Sequence, residues 1–187
     1  ALPNESLGSL ASLISDVEHK AALPSQGRAS LIVLKPKPEN KGGRAIGLLT
    51  FIYRLWAAIR RPTVATWCKA KVGFWDTAIQ GSSALRAGLR RLFLDESCVT
   101  LGGSCATALW DMEKFYDTID LVRLASSCVK LGYPPLPLAL GLQMHSACRL
   151  IRHDGTVSLP FDIYTGVVAG CSQANEFARA TLHSLLE

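Results

Sequence analysis

Residues 104–120, SCATALWDMEKFYDTID, are the part of the sequence on which the predicted fold and site depend. Its residues 105–110 are a short run of apolar and small side chains behind a Gly-Gly turn, which predicts a central strand. Asp111 stands where that strand should end, and residues 113–120 have the pattern of a helical turn. A carboxylate at the carboxyl end of a buried strand is placed to hold a cation at the edge of a sheet. An Asp here can equally cap the following turn, so both interpretations of Asp111 stay open.

The composition is that of a globular protein. The chain has 187 residues, of which 49% are hydrophobic and 19% charged, which suffices for one compact domain or two small ones. No apolar run approaches the roughly 18 residues that span a membrane, and we expect no signal peptide. The six cysteines lack the spacing of a zinc site or of a disulfide framework. We therefore expect an intracellular protein with reduced thiols, in the nucleus or the cytoplasm, and a polypeptide truncated at both ends.

The net charge of +5 is distributed unevenly along the chain. Residues 1–91 contain 14 Lys and Arg against 5 Asp and Glu, whereas residues 92–187 contain 6 against 10. A basic half joined to an acidic half indicates a polyanion bound by one part and a metal site in the other. Ordinary scatter of charges on a solvated surface is the alternative.

A basic hairpin is predicted near the amino end, after a packing helix in residues 5–23. Residues 30–34 and 45–49 have the apolar pattern of two strands, and the glycine-containing stretch between them predicts a turn. Several cations lie in this hairpin, among them Lys37 and Arg44. Such a hairpin can fold over a triphosphate, with Arg44 as a planar fork and Lys37 as a point charge. A solvated basic turn is the alternative.

Two amphipathic helices are predicted next. The first covers residues 51–71, and Pro62 should break it in two. The second follows a Gly-Ser-Ser turn, and in it Leu85, Leu89 and Leu92 should pack while the arginines face solvent. Arginines interleaved with aromatic residues in this region suit a nucleic-acid backbone with stacking surfaces. They suit ordinary amphipathic helices as well.

The second half of the chain predicts two helices, a hairpin and a glycine-containing loop. Residues 121–131 and 136–147 have helical patterns, and an Asp-Gly between two β-like runs predicts a hairpin at residues 153–156. Residues 165–175, TGVVAGCSQAN, then predict a loop that leads into a helix. Glycines let a backbone approach a ligand closely, and the first amides of a helix can donate to it. The four histidines are isolated, and we interpret each as structural or exposed.

Four short motifs, in this order along the chain, resemble those of reverse transcriptases of the retroelement and group II intron type. Lys-Pro-Lys-Pro with Arg44-Ala-Ile is similar to the family's fingers strand, and Tyr53-Arg-Leu to its Tyr-Arg-Leu helix. DMEKFYD, residues 111–117, is similar to the first metal motif of the palm, Asp-x-x-x-Ala-Phe-Asp. GVVAGCS, residues 166–172, is similar to Gly-x-x-Gln-Gly-x-x. The resemblance covers about residues 32–187.

The resemblance implies an α+β fold, namely the fingers and a partial palm of a right-hand polymerase, with an antiparallel sheet packed by helices. Residues 1–100 would form a basic, fingers-like region of helices and a hairpin, and residues 101–187 the partial palm. The reverse transcriptase domain would begin near residue 32 and continue beyond Glu187. Its activity would be RNA-directed DNA synthesis, by nucleotidyl transfer to a primer 3′-hydroxyl. The partners would be an RNA template, a DNA primer and deoxynucleoside triphosphates, without a membrane, and the fragment alone would be inactive.

The resemblance also implies a two-metal site. Asp111 would ligate two Mg²⁺ ions, and the backbone carbonyl of Met112 would assist at one of them. The ions would activate the primer 3′-hydroxyl and steady the leaving pyrophosphate. The family's other catalytic carboxylates, an apolar-x-Asp-Asp hairpin, would follow Glu187, and the present sequence contains no such motif.

The resemblance further implies a set of nucleotide contacts. Lys37 and Arg44 would hold the triphosphate. Tyr116 would lie beneath the sugar and exclude a 2′-hydroxyl. Gly170 and its neighbours would contact the template–primer or the incoming nucleotide.

Two departures from the family pattern affect these contacts. Ala169 stands where the family has Gln, and Phe115 stands where it has a small residue before the aromatic. Phe115 could therefore face the nucleotide while Tyr116 packs in the core.

Two other functions stay open. One is a viral-type RNA-dependent RNA polymerase, for which a smaller residue or Asp is expected in place of Tyr116. The other is a decayed or domesticated retroelement product that only binds nucleic acid.

Overall fold

The computed structural model describes residues 3–36, 43–73, 75–79, 81–107 and 112–186. Within them the chain has an α+β fold. The helices are α1 (Asn4–Lys20), α2 (Phe51–Ala70), α3 (Ala84–Thr100), α4 (Phe115–Thr118), α5 (Leu121–Lys130), α6 (Pro135–His145) and α7 (Ala174–Leu186). The strands are β1 (Ala29–Pro36), β2 (Gly43–Leu49), β3 (Cys148–His153) and β4 (Thr156–Val157). None of these helices has the length and apolar character that crossing a membrane requires.

The four strands form one mixed sheet in the order β2-β1-β3-β4. β1 and β2 pair antiparallel, from Ser30 opposite Leu49 to Pro36 opposite Gly43, which confirms the predicted hairpin. β4 likewise pairs antiparallel with β3. The pairing of β1 with β3 is parallel, so the expectation of an antiparallel sheet is wrong there. A parallel pair needs a long crossover connection, and the chain from β2 through α6 supplies it.

The strand predicted for residues 105–110 is not formed in its described part, residues 105–107. These residues lie along α3 instead. The Cys105 thiol donates to the Asp95 carbonyl at 3.6 Å, and the Thr107 hydroxyl donates to the Asp95 carboxylate at 2.8 Å. Side-chain bonds to a helix thus replace the backbone ladder of a strand. Residues 108–111 lie outside the described part, so the strand end at Asp111 stays a prediction.

One cluster of buried side chains holds the helices together. It contains Tyr53 and Trp56 of α2, Leu124 of α5, Leu140 of α6 and Phe177 of α7, all of which have no exposed surface. Burying a large apolar side chain of this kind stabilises a fold by about 2 kcal/mol. The helices α5 and α6 confirm the predictions for residues 121–131 and 136–147.

Pro62 does not break the first amphipathic helix, contrary to the prediction. α2 continues through it from Phe51 to Ala70. A proline inside a helix removes a backbone hydrogen bond and costs about 3 kcal/mol. Trp56 before it and Trp67 after it are both buried. Packing of the two halves of α2 against the same core therefore offsets the cost.

The packing predicted for α3 is also wrong, although its helical conformation is confirmed. Leu85, Leu89 and Leu92, which were expected to pack, are 74, 44 and 53% exposed, respectively. No residue of α3 is buried. Sequence periodicity shows that a helix has an apolar face, but it does not show what covers that face.

Candidate functional site

The glycine loop, residues 165–173, contacts α4 through its backbone. The Val167 amide donates to the Tyr116 carbonyl at 2.7 Å, and the Gly166 amide donates to the Ile119 carbonyl at 2.8 Å. Gly166 has a φ of 94°. A Cβ added to it would lie 3.0 Å from the Asp117 carbonyl oxygen. The third and fourth sequence motifs, some 50 residues apart in the sequence, are therefore in direct contact.

The same loop packs against strand β2. A Cβ added to Gly47 would collide with Cγ1 of Val168, so the absence of a side chain lets the strand and the loop approach each other. Glycine inside a strand often marks such an approach. Arg44 lies three residues earlier in β2, opposite Lys35 of β1. Its backbone is therefore about 10 Å along the strand from the loop contact.

A buried histidine holds the loop on another side. The Val168 amide donates to Nδ1 of His145 at 3.1 Å, and the imidazole has no exposed surface. Burial, assisted by the charge of Arg149, lowers the pKa of His145 to about 3. The imidazole is therefore neutral at physiological pH, with its proton on Nε2 and its acceptor at Nδ1. His145 is structural, which is one of the two roles expected for the histidines.

Arg149 of β3 adds a contact at the start of the loop. Its Nη2 donates to the Gly166 carbonyl at 3.1 Å. Burial lowers the pKa of this guanidinium, and the carboxylate of Asp117 acts in the opposite direction. Because an arginine stays protonated in proteins, Arg149 places a fixed positive charge behind the loop.

A network of neutral polar side chains lies under the end of the loop. The Tyr53 hydroxyl is 3.3 Å from Cys171 Sγ, and Gln173 bonds to the hydroxyls of Tyr53 and Tyr133 at 3.2 and 2.8 Å. Burial raises the pKa of Tyr53 and that of Cys171, so both groups keep their protons at neutral pH. A protonated, buried thiol is a poor nucleophile. Cys171 is therefore structural, and the network links the loop to the Tyr-Arg-Leu motif of α2.

Tyr116 of α4 contacts the first turn of α7. Its hydroxyl donates to Oδ1 of Asn175 at 2.9 Å, and its ring meets that of Phe115 edge-on at 5.5 Å. Both rings are half-buried. Each thus retains exposed surface for a ligand, and the hydrogen bond to Asn175 fixes the orientation of Tyr116.

A cleft of about 580 Å³ opens between α2 and the start of α7. Its walls include Arg61 and Lys69 of α2, and also Asn175, the hydrogen-bond partner of Tyr116. Arg61 and Lys69 are exposed and form no ion pair with another described residue. The cleft therefore presents the positive charges of Arg61 and Lys69, which attract a polyanion, and Asn175 in its wall connects it to Tyr116.

The predicted site residues are described only in part. Asp111 and Lys37 lie outside the described residues, and of Arg44 only the backbone is described. Met112 is 50% exposed. Gly170 has a φ of 93°, and a Cβ added to it would have nothing within 4 Å. Gly170 and Tyr116 are therefore the predicted nucleotide contacts whose surroundings the structure describes, and the roles of all the predicted site residues stay predictions.

The described residues do not contain a complete set of ligands for a metal ion. They contain no cluster of three or more His, Cys, Asp and Glu side chains that could hold a metal ion. The predicted Mg²⁺ site depends on Asp111 and on carboxylates that the resemblance places after Glu187. The described residues by themselves therefore do not fit two Mg²⁺ ions.

No protein-family model matches this chain, and no curated protein matches it significantly. The relation to reverse transcriptases thus remains a resemblance of motifs, and the activity that it implies remains a proposal.

Three residues that hold the loop were not assigned to the site from the sequence, namely Gly47, His145 and Arg149. The role of Gly47 could have been predicted from the sequence, because a lone glycine in a strand pattern often marks the close approach of another backbone. A histidine at the end of an apolar helix and an arginine in a strand have no spacing that relates them to residues 166–168. Their roles follow only from the tertiary structure.

Gly166→Ala should destabilise the chain more than Gly170→Ala. Both glycines have positive φ, which costs a residue with a Cβ about 1 kcal/mol. Only at Gly166 would the Cβ also press on a neighbouring carbonyl. The losses in unfolding free energy, measured by urea denaturation, should differ by at least about 1 kcal/mol. Equal losses would contradict the close packing of the loop on α4.

The stability of the chain should fall as the pH drops below 6.5. The unfolded state then binds a proton at His145, whereas the folded state does not bind it until the pH reaches about 3. His145→Asn keeps an acceptor near Nδ1 but cannot titrate. Relative to this variant, the wild type should lose about 2 kcal/mol of unfolding free energy between pH 6.5 and about 4.5.

His19→Asn, at an exposed histidine, is the matched control and should follow the wild type. Parallel stability curves for the wild type and His145→Asn across this pH range would show that His145 is not held neutral.

Proposed function

We propose that this chain contains the nucleotide-binding part of an RNA-directed DNA polymerase of the right-hand type. The supporting observation is that several separate motifs meet at the glycine loop. α4 with Tyr116, strand β2 with Arg44, and Tyr53 of α2 all belong to elements that contact it. Tyr53 and its loop partner Cys171 are 118 residues apart in the sequence. A shared site is the simplest reason for distant motifs to assemble around one loop.

The glycine loop would form one wall of the nucleotide site. Gly170 leaves open space beside the backbone, so a substrate can approach it closely. Tyr116, oriented by Asn175, would lie beneath the sugar. Arg44 and Lys37 would bind the triphosphate, with Arg44 supplying a bidentate fork.

The basic cleft would bind the template–primer. Arg61 and Lys69 are exposed on its wall and would contact phosphates, which positions a nucleic acid without reading its sequence. Asn175 belongs both to this cleft and to the Tyr116 hydrogen bond, so template and nucleotide would lie side by side. Magnesium bound at Asp111 and the downstream carboxylates would supply charge stabilisation for nucleotidyl transfer.

Tyr116→Ala should relax the discrimination between deoxynucleotides and ribonucleotides. A site that rejects a hydroxyl by steric clash loses this discrimination when the clashing atoms are removed. The measurement is kcat/KM for paired deoxy- and ribonucleotides in primer extension on an RNA template. The protein must contain this chain together with the downstream carboxylates. The ratio should shift toward ribonucleotides by about tenfold or more.

Tyr116→Phe is the matched control, because it keeps the ring and removes only the hydrogen bond to Asn175. It should keep most of the discrimination. A ratio unchanged in Tyr116→Ala, with both efficiencies depressed, would mean that the ring only supports the fold. A wild type that uses ribonucleotides alone would favour the RNA polymerase alternative. Binding of the duplex without any synthesis would favour a protein that only binds nucleic acid.

A further inference from the structure

α3 is packed on one side only among the described residues. Arg91 donates from Nε to the Thr107 hydroxyl at 3.0 Å and pairs with Asp95 at 3.0 Å. The Gly103 amide donates to the Cys98 carbonyl at 2.9 Å. These contacts all belong to one face of the helix, which the segment of residues 103–107 covers.

The other face of α3 carries a regular apolar stripe. The residues of this stripe, named the α3 seam, are Leu85, Leu89, Leu92, Glu96 and Val99. They follow one another at alternating steps of four and three residues, which is the spacing of the contact positions in a coiled coil. The four apolar members are between 44 and 74% exposed. The seam is thus the surface that a second helix would cover.

We propose that α3 pairs with α3 of a second copy of this chain, in antiparallel orientation. The orientation follows from Glu96, the one charged residue in the seam. In a parallel pair it would lie against Glu96 of the partner subunit, and two carboxylates would repel each other in a partly desolvated contact. In an antiparallel pair centred between residues 90 and 91, it lies beside Leu85 and Arg86 of the partner subunit instead.

The charges of α3 are self-complementary only in this orientation. Arg86 and Arg90 lie in the first half of the helix, and Asp95 and Glu96 lie in the second. Asp95 is already paired with Arg91, whereas the side chains of Arg86 and Glu96 have no hydrogen bond or ion pair with another described residue. An antiparallel pair forms the Arg86–Glu96 contact twice, as twofold symmetry requires.

A groove on the flank of the seam also fits a second copy. It has a volume of about 470 Å³ and is lined by Arg86, Leu89, Arg90, Phe93, Leu94 and Ser97. In the antiparallel pair, Phe93 of the partner subunit falls beside Arg86 and can enter this groove. Phe93 is 68% exposed in the single chain, and a ring beside a guanidinium is a favourable contact.

Other occupants use only part of this surface. A nucleic acid would use Arg86 and Arg90 but would leave the leucines of the seam uncovered. An anionic membrane would cover the leucines, and it would repel Glu96, which lies next to Leu92 in the seam. A second copy of α3 matches both the apolar residues and the charges.

The test is sedimentation equilibrium of the chain at about 1 to 200 µM, since a seam of five residues per helix should give a micromolar Kd. Four variants accompany the wild type. Arg86→Glu and Glu96→Arg each place like charges together twice, and the double variant restores the pairs in reversed order. Arg123→Glu makes the same charge change on an exposed position of α5 and is the matched control.

We expect a wild-type dimer whose Kd rises about tenfold or more in either single variant. In the double variant it should return to within about threefold of wild type, and the control should leave it unchanged. Because all three positions are exposed, circular dichroism should show unchanged helix content. A wild type that stays monomeric at 200 µM would overturn the proposal. A double variant whose dimer Kd is as high as that of the single variants would overturn the proposal as well.

Discussion

The interaction on which the candidate site depends is the hydrogen bond from the Val168 amide to the imidazole of His145. A buried amide without a partner costs about 1–3 kcal/mol, so the glycine loop needs an acceptor at this position. The imidazole can accept only while Nδ1 is unprotonated. The burial that lowers the pKa of His145 therefore also keeps the acceptor available at physiological pH.

Around this bond, each neighbouring element holds a different part of the loop. α4 and Arg149 bind its first residues, Gly47 lets β2 lie on its middle, and Tyr53 contacts its end through Cys171. The loop conformation is therefore imposed by tertiary contacts more than by its own residues. A loop held in this way keeps its backbone in a fixed position relative to α4 and Tyr116, and nucleotide binding and catalysis both require such a preorganised arrangement.

Much of the local structure could be predicted from the sequence. The β1–β2 hairpin, α5, α6 and the loop leading into α7 follow from apolar spacing and turn residues. The parallel pairing of β3 with β1 could not be predicted, because it joins residues about 120 positions apart. The continuity of α2 through Pro62 and the exposure of α3 were missed for a related reason: both depend on what packs against a helix. At the site, Gly166 and Tyr116 lie in recognisable motifs. The contacts of His145 and Arg149 with the loop could not be predicted, because no sequence spacing relates these two residues to the loop.

Hydrogen–deuterium exchange of the chain with an RNA–DNA primer–template and the complementary deoxynucleoside triphosphate tests whether the glycine loop belongs to the nucleotide site. The amides of residues 168–172 should exchange more slowly when the nucleotide is added to the bound duplex, together with those of β2. The nucleotide and the glycine loop would then share one site. Binding of the duplex and nucleotide with unchanged exchange in both segments would contradict a nucleotide site at the glycine loop, because the loop would then be a structural element alone.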